Sequence, residues 1–70
     1  MPTMKQVHSS HVRSIGHDPS TNELHVQYKN GGTAVYHDVP ADKARLVMNS
    51  HSIGSALHQH VRGQHDHRML

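Results

Sequence analysis

The chain has 70 residues, ten of them His, a net charge of +2 with histidine neutral, and no Cys, Trp or Phe. This length supports one small domain, which buries only about 60% of the surface its unfolded chain exposes. The composition excludes a disulfide scaffold, a thiolate metal site and a Cys nucleophile. The longest apolar run, Leu46-Val47-Met48, is too short to span a membrane.

Residues 1–8 show no period and read as a flexible lead-in to a single domain at 9–63. The β-branched run at 10–17 reads as a short strand, followed by the turn formers Asp18-Pro19-Ser20-Thr21-Asn22. Residues 23–29 alternate, with Leu24, Val26 and Tyr28 on one side and Glu23, His25, Gln27 and Lys29 on the other, the mark of a half-buried strand. Asn30-Gly31-Gly32 predicts a hairpin turn into a returning strand at 33–37. A two-residue loop would turn Tyr36 to the polar side, opposite His25. A three-residue loop at 30–32 pairs Tyr28 with Ala34 and Val26 with Tyr36 and gathers the apolar side chains on one face, at the cost of Val35 on the outer face.

Pro40 favours a helix start, and a helix is expected over 41–49 with Ala41, Ala44, Val47 and Met48 as its buried stripe. Ser52 is placed to cap a second helix over 53–62, closed by Gly63, with Ile53, Ala56, Leu57 and Val61 facing inward. Residues 64–70 are expected to form a flexible, His-containing tail. The expected fold is α+β: a three-stranded antiparallel meander followed by two short helices packed on one face.

The stretch 9–62 resembles the KTSC domain family. The matching pieces are Ser10-x-Val12-x-Ser14-Ile15-Gly16-x-Asp18, Leu24-x-Val26-x-Tyr28, Gly32, Tyr36-x-x-Val39-Pro40, Ser52-x-Gly54 and Val61-Arg62. The resemblance implies a short domain of the lysyl-tRNA synthetase C-terminal type, also free-standing in bacteria and phages, of unsettled function with RNA binding suggested. Its marker residues here are Asp18, Gly32, Tyr36, Val39, Pro40, Ser52 and Gly54. Three positions depart from the family pattern. Ala34 replaces the first Tyr of Tyr-x-Tyr, His17 replaces a Tyr, and Leu57 stands where an aromatic residue is common.

Single-stranded nucleic acid is held by aromatic stacking over a basic groove, and only Tyr28 and Tyr36 remain here. The histidines do not converge in sequence. His58 and His60 diverge on a helix, and His65 and His67 pair only in the tail; the histidines read as solvated surface groups, with weak metal binding by His65 and His67 as the alternative and no cofactor or structural metal expected. Ser9, Ser10 and Ser14 have His neighbours without a triad's spacing logic, so no enzyme is expected. Arg13, Lys43, Arg45, His58 and Arg62 are the candidate contacts to a partner or to nucleic acid. Arg62 also complements a helix C-terminus, and Ser52-x-Gly54 reads either as a cap with a close-packing Gly or as an anion-binding helix start. A cytoplasmic interaction module of a bacterium or phage-infected host is expected, monomeric or weakly dimeric. It would bind a protein, such as a regulatory component, with RNA or single-stranded nucleic acid as the alternative.

Overall fold

The computed structural model describes residues 2–70. The strands are β1 (Lys5–Gln6), β2 (Val12–Asp18), β3 (Glu23–Tyr28), β4 (Thr33–Tyr36) and β5 (His67–Met69), and the helices are α1 (Ala41–Met48) and α2 (Ile53–His60). They form one antiparallel sheet in the order β1-β2-β3-β4-β5. The fold is α+β as expected, but the sheet has five strands rather than three. The lead-in supplies β1 and the tail supplies β5, which returns after both helices to pair with β4. Strands of two and three residues are too short to show a period, so their pairing is decided by the edges they meet.

β2 carries Val12 and Ile15, three positions apart, both fully buried in the same core. Plain alternation would send them to opposite faces. The register slips between Val12 and Ser14, where Val12 faces Tyr28 and Ser14 faces Gln27. Arg13 is the extra residue of this β-bulge, and the bulge turns both apolar side chains inward.

The hairpin differs by two residues from the expected register. Val26 pairs with Ala34 and Leu24 with Tyr36. The loop is Lys29-Asn30-Gly31: Gly31 N–H donates to the Tyr28 carbonyl at 3.1 Å, and Tyr28 N–H donates to the Gly32 carbonyl at 2.8 Å. Gly31, not Gly32, takes the left-handed conformation, at φ 100°. A slip of two preserves the faces, so Leu24, Val26, Tyr28, Ala34 and Tyr36 still share the inner one.

Both helices pack on that inner face. α1 buries Ala44 and Val47, whereas Ala41, expected in its stripe, lies exposed in the first turn. α2 buries Ile53, Ala56 and Leu57, with Val61 just beyond it. It ends at His60, two residues before the expected end, and Gly63 follows at φ 84°. Pro40 and Ser52 occupy the two N-cap positions, but the Ser52 hydroxyl makes no capping bond.

Val35, expected on the exposed outer face, is fully buried. It lies in the cross-strand row Gly16, His25, Val35, Arg68. The N-terminal segment crosses this row at Gly16, where an added Cβ would lie 2.6 Å from the Thr3 carbonyl oxygen and 2.9 Å from Met4 Sδ. At the other end, Glu23 gathers His25 Nε2 at 3.6 Å, His37 Nδ1 at 3.4 Å and Arg68 at 3.6 Å. His25 Nε2 is buried without a hydrogen-bond partner, the Glu23 carboxylate lying just beyond bonding distance.

Two stability changes follow from this second covered face. Val35→Ala removes about two methylene equivalents, so a loss of roughly 1.6 kcal/mol is expected in urea unfolding. An exposed valine would cost less than about 0.5 kcal/mol. Gly16→Val is expected to lift residues 2–6 off the sheet. It should lower stability by about 1–3 kcal/mol and raise amide exchange at Lys5 and Gln6.

Candidate functional site

The helices leave the inner sheet face open at the half-buried Tyr28 and the exposed Met69, on either side of the buried Ala34 and Tyr36. Beside it lies a cavity of about 620 Å³ that also meets His58, Arg62 and His67. A second cavity, of about 460 Å³, lies against the start of α2 at Ser52, Gly54 and Ser55 and reaches His8, His11 and His51. A third hollow meets Ser10, Lys29 and Asn30. Tyr28 and Arg62 line all three, so they form one groove with these two residues at its waist.

The floor is apolar and fixed. Tyr28 and Tyr36 join their hydroxyls at 3.0 Å, and the His67 ring packs on Tyr36 with centroids 5.3 Å apart. Tyr36 is 3% exposed, while Met69 beside it is 58% exposed. Burial, reinforced by the bond to Tyr28, pushes the Tyr36 phenol well above its ordinary range.

The walls are basic. Lys29 and Arg62 carry permanent charge, and five imidazoles (His8, His11, His51, His58 and His67) face the same space. Among the described residues no Asp or Glu lines the groove. Two of the acidic side chains are engaged elsewhere. Glu23 serves the outer face, and Asp18 accepts both the N–H and the hydroxyl of Ser20, which hold its carboxyl below the usual range.

Of the five candidate contacts, the structure brings His58 and Arg62 to the groove. Arg13 projects at the bulge into a separate hollow shared with His8 and Lys29. Lys43 and Arg45 do not line the groove. Lys43 is bonded to Gln64 Oε1 at 3.3 Å and His65 Nε2 at 3.0 Å. His65 completes a bridge by donating from Nδ1 to the His37 carbonyl at 3.1 Å, as the neutral Nδ1–H tautomer. His65 and His67 therefore have separate partners, and among the described residues no three His, Asp or Glu side chains form a group that could hold a metal.

The family-marker residues divide in the same way. Asp18 bonds within its own turn, and Val39 is buried, its carbonyl 2.7 Å from His17 Nε2. Pro40 starts α1, whereas Gly32, Tyr36, Ser52 and Gly54 line the groove. A Cβ on Gly54 would meet nothing within 4 Å, so close packing is not what this glycine provides. Sequence reasoning missed His8, His11, His51, His67 and Met69. The one signal the histidines share is their excess in the composition, and the β1–β2 connection, the turn before α2 and β5 bring these residues together.

The buried phenol makes stability depend on alkaline pH. Below about pH 10 Tyr36 is protonated in both the folded and unfolded states. Above that, the unfolded chain releases the proton first, so stability falls as pH rises, by up to about 1.4 kcal/mol per unit. Tyr36→Phe should cost about 1 kcal/mol near neutrality, through the lost bond to Tyr28, and flatten the alkaline decline. Urea midpoints of both proteins, measured on either side of about pH 10, check this.

Comparison with known proteins gives one consistent assignment. The KTSC domain matches residues 8–65. An uncharacterized protein of Stutzerimonas stutzeri (strain A1501) is 33% identical over 64 residues, spanning 89% of this chain and 90% of that protein. The crystal structure of a KTSC domain protein from Yersinia pestis superposes with a TM-score of 0.95 at 28% identity, covering 100% of this chain and 99% of that one. No helix among the described residues is long and apolar enough to cross a membrane. On the match from His8 to His65 and on this likeness of structure, the chain belongs to the KTSC domain family.

Proposed function

We propose that the chain is a small non-enzymatic interaction module of the bacterial or phage-infected cytoplasm. Its groove takes an extended acidic segment of a protein partner. One observation carries this reading: the groove has basic walls with no carboxylate, over a floor of Tyr28, Ala34, Tyr36 and Met69. Such a surface complements a peptide with an apolar side chain flanked by Asp or Glu. The apolar contact supplies affinity and the charges supply orientation and rate.

A single-stranded RNA is the second reading, favoured by the half-buried Tyr28 ring and the exposed His67 ring in a carboxylate-free groove. The number of permanent cations decides the order. Single strands lose affinity with salt at a log–log slope of about 0.7 per neutralised phosphate. Lys29 and Arg62 alone would give a slope of about 1.4. That is roughly sevenfold between about 50 and 200 mM salt, far below proteins that make many phosphate contacts.

The test is an NMR titration with two probes, a Glu/Leu-rich peptide and an oligo-uridine. The peptide is expected to shift Tyr28, Ala34 and Arg62 amides, and Arg62→Ala to weaken it about tenfold, as for a central interface arginine. Lys43→Ala, away from the groove, should leave it within about twofold. Tighter binding of the RNA with a steep salt slope would transfer the groove to the second reading.

A further inference from the structure

The fold sorts the ten histidines into two sets. His17, His25, His37 and His65 are tied to the fold, each facing a carbonyl or Glu23. His60 sits at the end of α2, away from the groove. The remaining five, His8, His11, His51, His58 and His67, are all exposed and all line the groove. They reach it from four directions: the segment before β2, the α1–α2 connection, α2 itself and β5.

We infer that occupancy of the groove by an acidic segment is coupled to proton uptake by these histidines, so that acidity tightens binding. This rests on the proposed peptide-binding reading. The groups facing the imidazoles are Lys29, Arg62, Tyr28 and Tyr36 across the groove and Arg13 in the hollow beside His8; none is a carboxylate. In the groove as it stands no carboxylate is present to pair with a protonated imidazole. A docked Asp or Glu supplies the missing counter-charge, so the bound state holds more protons than the free state. By linkage, affinity then rises as pH falls through the imidazole range near about 6.5. It falls again once the partner's carboxylates are protonated, near about pH 4. The optimum therefore lies between these limits. The coupling is of the groove alone, because the structural histidines face partners that do not change on binding.

The experiment is calorimetric titration of the full chain with the Glu/Leu-rich peptide at about pH 7.5, 6.5 and 5.5, spanning the imidazole range. It is repeated at the middle pH in two buffers of different ionisation heat. Uptake of about one proton per complex is expected, with affinity rising up to about tenfold per pH unit per proton. His51→Gln with His58→Gln should reduce the rise on acidification, whereas His60→Gln, away from the groove, should leave both the affinity and its rise within about twofold. Binding at the groove amides with equal affinity at all three pH values and no buffer-dependent heat would overturn the coupling and leave the groove reading standing. No shift of the Tyr28 or Arg62 amides at any pH would overturn both. Retention of the full acid response by the double variant would move the coupling off these histidines and overturn their assignment.

Discussion

The structure depends on a mismatch of sizes. Each helix has eight residues and so runs about 12 Å, whereas five paired strands span about 19 Å from edge to edge. Two such helices seal the inner face from Val12 and Ile15 to Ala34 and Tyr36 and leave Tyr28 and Met69 only partly covered. The β4–β5 side stays partly open, and its floor grades from the buried Tyr36 to the exposed Met69. The groove is what the helices leave uncovered. The apolar stripe of α2 and its length thus set both the core and the site.

The outer face meets the opposite problem. A domain this small has too few apolar residues to cover two faces with helices, and it uses the chain itself. Thr3 and Met4 lie over Gly16, and Arg68 reaches Glu23 from β5. The absence of a side chain at Gly16 gives the crossing segment its room. Glu23, with imidazoles and a guanidinium around it, is compensated by three strands' worth of partners. The cost is the orphaned His25 Nε2, a buried donor or acceptor worth about 1–3 kcal/mol of lost hydration.

Much of the fold was legible because alternation and apolar stripes are local. β3, β4 and both helices followed from spacing, and the inner face of the hairpin survived a register error of two because side-chain direction has period two. Three features were not legible. The Arg13 bulge breaks the very periodicity by which a strand is recognised. β1 and β5 have no period to read and exist only because β2 and β4 offer edges. Val35 looks exposed until those end segments are in place. The candidate site suffers most from this, since His58 and Arg62 lie on or just beyond a readable helix, while His8 lies in the lead-in, His11 just ahead of β2 and His67 on the unreadable β5.

The pairing of β5 also carries a kinetic meaning. Val26 meets Ala34 across a separation of eight residues, whereas Val35 meets Arg68 across thirty-three, with both helices in between. Closing the longer loop is entropically dearer, and three residues return little for it. The expected sequence of events has the hairpin and helices assembled first and β5 zipped on at the end. A wall of the groove, with His67 and Met69, is then completed only when the last segment locks. Until β5 pairs, the chain exposes the β4 edge to any other extended segment, so the last step of folding is also the one that removes a site of edge-to-edge association.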